Sequence, residues 1–163
     1  MSEPAVRPID DSDADFLRGE LTRHWGGVGI WSLGRMYRAD RLPGFVALID
    51  GERVGQVTYI VHDGGYSFEV MTISSLRPGS GIGSRLLQAA VDAGRAAGCI
   101  RAFLTTTNDN IRALEFYQRA GWRFAALHKG AVDAARVHAP TIPRVGPSGI
   151  PIRDEIEFEL ALR

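Results

Sequence analysis

The chain has 163 residues, 45% of them hydrophobic, which is enough to bury a core in a single domain, residues 1–163, without disulfides or a metal. Its 19 basic and 19 acidic residues give a formal net charge of +0, which argues against nucleic acid as the main partner. The lone cysteine, Cys99, cannot form an intrachain disulfide, so we expect a reducing, cytoplasmic setting and a buried thiol. No segment approaches the ~20 apolar residues of a membrane helix, so we expect no membrane partner.

The first forty residues predict one strand and two helices. Residues 6–9 suit a short strand, and Ser12 is a favourable N-cap for a helix that ends at Gly26. The apolar residues of segment 30–39 are spaced as in a second, short helix.

The next segment predicts an antiparallel meander. Residues 45–49 and 54–61 read as strands on either side of Asp50-Gly51, a strong hairpin signal because both central turn positions need positive φ. Residues 66–74 read as the third strand.

The period then changes, because a glycine-rich loop leads into an amphipathic helix that ends at Gly98, and residues 100–106 read as a strand. A strand, a crossover helix and a strand imply parallel pairing. We therefore predict an α/β fold with a mixed, mostly antiparallel sheet, one parallel strand pair beside the loop, and flanking helices.

The C-terminal part predicts one more helix, capped by Asn108 or Asp109, and two strands. In the last strand, Glu155, Glu157 and Glu159 alternate with apolar residues, which predicts one solvent-exposed face. Residues 130–153 form a long, proline-rich connection, which we expect to be an ordered wall or lid near the active site.

The loop Pro78-Gly79-Ser80-Gly81-Ile82-Gly83 is suited to an anion. Alternating glycines let the backbone approach a ligand, and the N–H groups at the following helix N-terminus favour a pyrophosphate. The loop lacks the Gly-Lys-Ser/Thr ending of a P-loop, and it also lacks the last glycine and the later acidic residue of a Rossmann turn. A purely structural strand-to-helix turn stays an alternative.

A second motif lies in the predicted helix that follows. Asn110, Ala113 and Tyr117 fall on one helical side, and Gly121-Trp122 closes the helix. With the loop, this motif resembles the GNAT superfamily of N-acetyltransferases, in particular a bacterial subgroup with no assigned acceptor. The resemblance is strongest between Glu69 and Trp122.

The resemblance implies that the chain binds acetyl-CoA and transfers the acetyl group to a primary amine of a small molecule or peptide by direct attack in a ternary complex. A backbone N–H near Ile73 would polarise the thioester carbonyl. The implied cofactor-binding residues are Ile73, Arg77, Gly79, Ser80, Gly81, Ile82, Gly83, Ser84 and Asn110.

Two residues are candidates for proton transfer. The resemblance implies that Tyr117 protonates the leaving thiolate; the alternative is a packed aromatic residue. Glu69 lies in the strand before the loop and, by alternation, shares a face with Met71 and Ile73; it is a candidate general base acting through water, or a paired carboxylate. His62, Asp63 and His128 are weaker candidates, and the four histidines show no metal-ligand spacing.

Two departures from the family pattern leave a further alternative. Pro78 occupies the family's Arg or Gln position and has no N–H to donate, so Arg77 would supply the charge. A non-catalytic acetyl-CoA sensor or scaffold, O-acetylation and a longer acyl donor all stay open, as does a homodimer. By analogy with the family, residues 27–42, with Trp31, Arg35 and Tyr37, and the connection 130–153 would contact the acceptor.

Overall fold

Residues 2–163 are described by a computed structural model, which contains nine β-strands and four α-helices. In chain order these are β1 Ala5–Pro8, α1 Ala14–Trp25, β2 Gly29–Ser32, β3 Arg35–Arg38, β4 Gly44–Ile49, β5 Glu52–His62, β6 Ser67–Ser75, α2 Ile82–Ala96, β7 Arg101–Thr107, α3 Ile111–Arg119, β8 Arg123–His128, α4 Ala131–Ala135 and β9 Glu155–Ala161.

Seven strands form one mixed sheet in the order β1-β4-β5-β6-β7-β9-β8. The β6–β7 pair is parallel and the other pairs of this sheet are antiparallel. The predicted α/β class, with a mostly antiparallel sheet and one parallel pair, is therefore confirmed. As the Asp50-Gly51 pair predicted, β4 and β5 are joined by a tight turn in which Asp50 has φ 51° and Gly51 φ 82°.

The helix predicted for residues 30–39 is wrong. The segment is a hairpin of its own, β2 paired with β3, separate from the main sheet. Leu33 and Gly34 form its turn with φ of 47° and 81°, and two successive positive φ values cannot continue a right-handed helix. Ile30 and Trp31 favour strands in any case, and short apolar runs do not separate the two periods.

The sheet has two differently covered faces. The helix face carries α2 and α3, whose Ile82, Leu86 and Tyr117 belong to the main hydrophobic core. Gly55 of β5 lets α2 approach, since a Cβ there would lie 2.9 Å from the Leu86 side chain. Cys99 is also buried in this core, as expected. The hairpin face carries α1 and the β2–β3 hairpin, which meet in a smaller cluster around Leu21 and Ile30.

Helix α1 is anchored by a buried carboxylate. Asp13 accepts hydrogen bonds from Arg7 at 2.8 Å and from Arg53 at 2.7 Å, and the Arg7 guanidinium above all holds the pKa of Asp13 well below its usual range. Asp13 is also the N-cap position of α1, without a side-chain capping bond, and Asp10 caps the 3-10 turn before it by accepting from the Ser12 N–H, so the predicted Ser12 cap is wrong.

Candidate active site

The parallel strands β6 and β7 separate partway along their length. They pair from Ser67 with Arg101 to Glu69 with Phe103, while β6 runs on to Ser75. Strand β7 stays paired with β9 to its end, so the backbone of β6 beyond Glu69 borders a gap. We call this the strand gap; its closed end lies at the Glu69–Phe103 pair.

A β-bulge on β6 lies next to the closed end. Thr58 of β5 pairs with Thr72 and Tyr59 with Val70, which leaves Met71 without an opposing residue. The extra residue shifts the alternation: Met71 packs on the hairpin-face cluster, whereas Ile73 packs on the helix-face core. The prediction that Glu69 shares a face with Ile73 is therefore wrong, although it holds for Met71.

The glycine-rich loop follows β6 directly and stands at the open end of the strand gap. Gly79 and Gly81 have φ of 80° and 82°, which only glycine adopts without strain. Gly81 is the N-cap of α2, and the first intrahelical bond runs from Arg85 N–H to the Gly81 carbonyl at 3.1 Å. The N–H groups of residues 81–84 therefore have no intrahelical partner.

The side chains of the loop play different parts. Ile82 is fully buried in the core, so it can offer a ligand only its backbone. The Ser80 hydroxyl donates to the Arg77 carbonyl, which tightens the turn, and the Arg77 side chain is exposed. Gly83 lies against α3, since a Cβ there would lie 3.5 Å from the Phe116 ring. Ser84 is exposed in the first turn of α2.

Helix α3 places the second motif on the helix face. Tyr117 is 6% exposed, and its ring packs on Trp122 and Phe158 at centroid distances of 6.0 and 5.5 Å. Burial raises the pKa of the Tyr117 phenol, which therefore stays protonated at neutral pH. The N-cap of α3 is Asn110, whose side-chain oxygen accepts the Ala113 N–H at 3.2 Å, and not Asn108 or Asp109 as predicted.

Glu69 lies on the hairpin face at the closed end of the strand gap. It is 2% exposed, and its Oε1 lies 2.8 Å from His62 Nε2, while its Oε2 accepts the hydroxyl of Ser32 from β2. The His62 ring in turn stacks on Phe103, with centroids 5.9 Å apart. A histidine and a carboxylate in hydrogen-bond contact can share and move a proton.

The acidic side of β9 is not solvent-exposed as predicted. Glu155 and Glu157 are only 8% and 9% exposed. Glu157 accepts from Arg101 and contacts His128 Nε2 at 2.9 Å. Burial alone would raise the pKa of Glu157, but the hydrogen bonds from His128 and Arg101 outweigh it and lower the pKa.

The connection 130–153 is ordered by hydrogen bonds. Arg136 donates to the carbonyls of Pro143 at 2.6 Å and Ile152 at 2.7 Å, and Asn108 accepts from the N–H groups of Arg153 and Asp154. The connection also reaches the hairpin, because His138 stacks on Trp31 with ring centroids 4.8 Å apart. It forms a wall beside the hairpin face.

Residues 9–122 match the model of the Acetyltransferase (GNAT) family. The chain belongs to this family. It is 41% identical over 154 residues to the uncharacterized protein YdhI of Bacillus subtilis (strain 168). The aligned residues cover 94% of this chain and 95% of that protein.

Solved GNAT structures share the fold. An acetyltransferase of Bacillus subtilis in complex with CoA matches with a TM-score of 0.73 at 15% identity, covering 99% of this chain and 100% of that one. A GNAT family acetyltransferase of Elizabethkingia anophelis with acetyl-CoA bound matches with a TM-score of 0.70 at 17% identity, covering 99% of both chains.

In this GNAT chain the predicted residues lie on both sides of the sheet. The loop and Tyr117 lie on the helix face, and Glu69 lies on the hairpin face. Sequence reasoning gave His62 little weight, and it assigned no role to Ser32 or Glu155. The alternating glutamates of β9 indicate that Glu155 shares one face of the strand with Glu157 and Glu159, but the sequence prediction assigns that face to solvent.

Within residues 2–163, no helix is long and apolar enough to cross a membrane. Over the same residues, no three His, Cys, Asp or Glu side chains come together closely enough to hold a metal ion.

Proposed function

We propose that this GNAT chain is an acetyl-CoA-dependent N-acetyltransferase that transfers the acetyl group to a primary amine by direct attack in a ternary complex. The observation that carries the proposal is the strand gap, which has an anion-binding loop at its open end and the Glu69–His62 pair at its closed end. A long donor that lies along the gap would bring its reactive end to these side chains.

The loop fits the phosphate end of acetyl-CoA. The free N–H groups of residues 81–84 at the α2 N-terminus and the nearby Arg77 favour a pyrophosphate, and the glycines leave the backbone open to it. The unpaired backbone of β6 in the gap offers hydrogen bonds to amide groups of an extended chain. The solved relatives that contain CoA or acetyl-CoA support this choice of donor.

The chemistry needs three contributions from the protein. The amine must be neutral when it attacks the thioester carbonyl, and Glu69 with His62 accepts its proton, directly or through water. A backbone N–H near Ile73 on the gap edge polarises the carbonyl oxygen as charge develops on it. As the new C–N bond forms and the C–S bond breaks, the sulfur takes the proton of Tyr117.

The structure bears on the roles that we propose for Tyr117 and Asn110. Tyr117 remains a proton donor because its raised pKa keeps the phenol protonated. Once a thiolate forms, the proton transfer needs close contact, since an ordinary thiol pKa is about 8.5 and the phenol is the weaker acid. Asn110 already caps α3 through its side chain, so we assign it to shaping the helix and not to direct donor contact.

A non-catalytic sensor is the second candidate. Pro78 favours it, because this position has no N–H for a phosphate. The buried Glu69–His62–Ser32 contact favours the enzyme, since a sensor has no need for a proton acceptor beside the gap.

Transfer of isotope-labelled acetyl groups from acetyl-CoA to a mixed pool of amines separates the two. The enzyme yields labelled acetyl-amines at a rate proportional to protein concentration. A sensor binds acetyl-CoA and yields none, which would contradict the proposal.

A further inference from the structure

Two buried polar atoms, one on the hairpin and one on β9, have no partner. Among residues 2–163, Trp31 Nε1 and Glu155 Oε2 are buried side-chain atoms without a hydrogen bond. Trp31 comes from β2, and Glu155 is 8% exposed on β9 beneath the same hairpin. Buried polar groups in native proteins are nearly always satisfied, so such an atom points to a missing water, ion or ligand.

Glu155 differs from the other two acids on this face. Glu69 is held by His62 and Ser32, and Glu157 is neutralised by Arg101 and His128. The carboxyl of Glu155 lies near the backbone of Leu33 at the hairpin turn, and its Oε2 has no hydrogen-bond partner. Burial above all raises the pKa of Glu155; His128, which pairs with it from β8, opposes this, and the charge of Glu69 adds to it.

A buried carboxylate of this kind is stabilised by a cation. We propose that Glu155 is a specificity-determining residue that binds the second positive charge of the acceptor, so that the preferred acceptor is a small dicationic amine such as an α,ω-diamine. The inference rests on the proposed function, because it identifies the substrate class of the same site.

The positions of the two acids fit two nitrogens on one short molecule. Glu69 lies in the Phe103 row at the closed end of the strand gap, where the reacting amine would be. Glu155 pairs with Thr107, four residues further along β7, which is about 13 Å along the strand. Both side chains lie on the hairpin face, and the Glu69 carboxylate contacts Ser32 of the hairpin there.

The hairpin is the element that admits such a molecule. It forms no ladder with the main sheet and reaches it through contacts such as Ser32 with Glu69 and Leu33 with Glu155. No three metal-ligating side chains converge within the described part of the chain, so the site suits an ammonium group better than a metal ion.

Calorimetric titration into the CoA-saturated protein tests the proposal. The probes are α,ω-diamines of three to six carbons, each compared with the 1-aminoalkane of the same length. We expect at least one diamine to bind about 100-fold more tightly than its monoamine, as is usual for a buried, paired charge.

Three variants identify the residue responsible. Glu155→Gln keeps the shape but removes the charge, and should reduce the preference for diamines to within about 3-fold. Glu155→Asp keeps the charge but withdraws it by about one carbon–carbon bond, and should shift the best diamine to the next longer one. Glu159→Gln is the matched control on the same strand and face, and should keep the wild-type preference.

The outcomes separate this inference from the proposed function. Equal binding of diamines and monoamines, binding of neither, or an unchanged preference in Glu155→Gln would each overturn the role of Glu155, and would leave a buried water or a neutral carboxyl as the explanation. Failure of the protein to bind CoA, measured before any amine is added, would instead overturn the proposed function.

Discussion

The two faces of the sheet are built on different principles. On the helix face, the proposed donor site consists mainly of backbone: two glycines with positive φ and the N–H groups of residues 81–84, which have no intrahelical partner. On the hairpin face, the proposed acceptor site consists of side chains from distant parts of the chain, such as Ser32, Glu69 and Glu155. A site made of local backbone tolerates side-chain exchange, whereas one made of converging buried side chains does not.

The largest expected effect is on the hairpin face. Glu69→Gln removes the proton acceptor without changing its size, and should lower kcat by about 10³-fold, within the range of general-base catalysis. Steady-state rates of thiol release measure this. The kcat of Glu159→Gln should stay within about 2-fold of wild type, because the Glu159 side chain is 45% exposed and its ion pair with Arg101 is open to solvent. A Glu69→Gln variant with wild-type kcat would show that Glu69 is not the general base.

Tyr117→Phe should have the next largest effect, because Tyr117 is the one side chain of the helix face that we assign to the chemistry. We expect kcat to fall by about 10²-fold, with the Kd for acetyl-CoA within about 2-fold of wild type. Since burial raises the pKa of the phenol, wild-type kcat should show no loss of the Tyr117 proton from about pH 6 to about pH 9. Full turnover by Tyr117→Phe would make the residue a packing aromatic.

The donor site should respond to backbone changes. Gly81→Ala forces a side chain into φ 82°, at a cost of about 1–2 kcal/mol, and should weaken acetyl-CoA binding about 10-fold. Gly26→Ala is a matched control, since Gly26 has φ 79° at the end of α1 and open space around it. Both variants should lose similar stability, and calorimetry should find weaker binding in Gly81→Ala alone. Equal losses of affinity would mean that the loop has no special role.

The smallest effect concerns stability and pH, and it contrasts two neighbours on β9. The pKa of Glu155 is raised in the fold, so the folded state holds this proton more tightly, and stability falls as pH rises above about 4.5 through the folded pKa. Glu155→Gln should therefore be more stable than wild type at about pH 8, by about 1 kcal/mol or less. The pKa of Glu157 is lowered, so Glu157→Gln should be less stable there. Urea unfolding at about pH 5 and about pH 8 measures both, and equal signs would contradict the account.

The same contrast explains which parts were predictable from the sequence. The Asp50-Gly51 turn, the crossover helix α2 and the loop depend on neighbouring residues, and their positions were predicted within a few residues. The hairpin of residues 29–38 was predicted as a helix, because its apolar spacing fits both periods over so short a length.

The hairpin face depends on contacts between distant parts of the chain, which local sequence patterns do not predict. Glu155 was expected to be exposed because alternation shows which residues share a face, and does not show what covers it. The covering hairpin lies more than a hundred residues earlier in the chain. The Met71 bulge, which placed Ile73 on the opposite face from Glu69, likewise follows from the pairing of β5 with β6.

The measurement that tests the central claim most directly is a calorimetric titration of acetyl-CoA into the purified protein, with ATP as the comparison. The account predicts one saturable site for acetyl-CoA and none for ATP. The extended part of acetyl-CoA would bind along the strand gap, whereas ATP could contact only the loop, which by itself should bind phosphates weakly. Absence of acetyl-CoA binding, or binding of ATP with equal affinity, would contradict it.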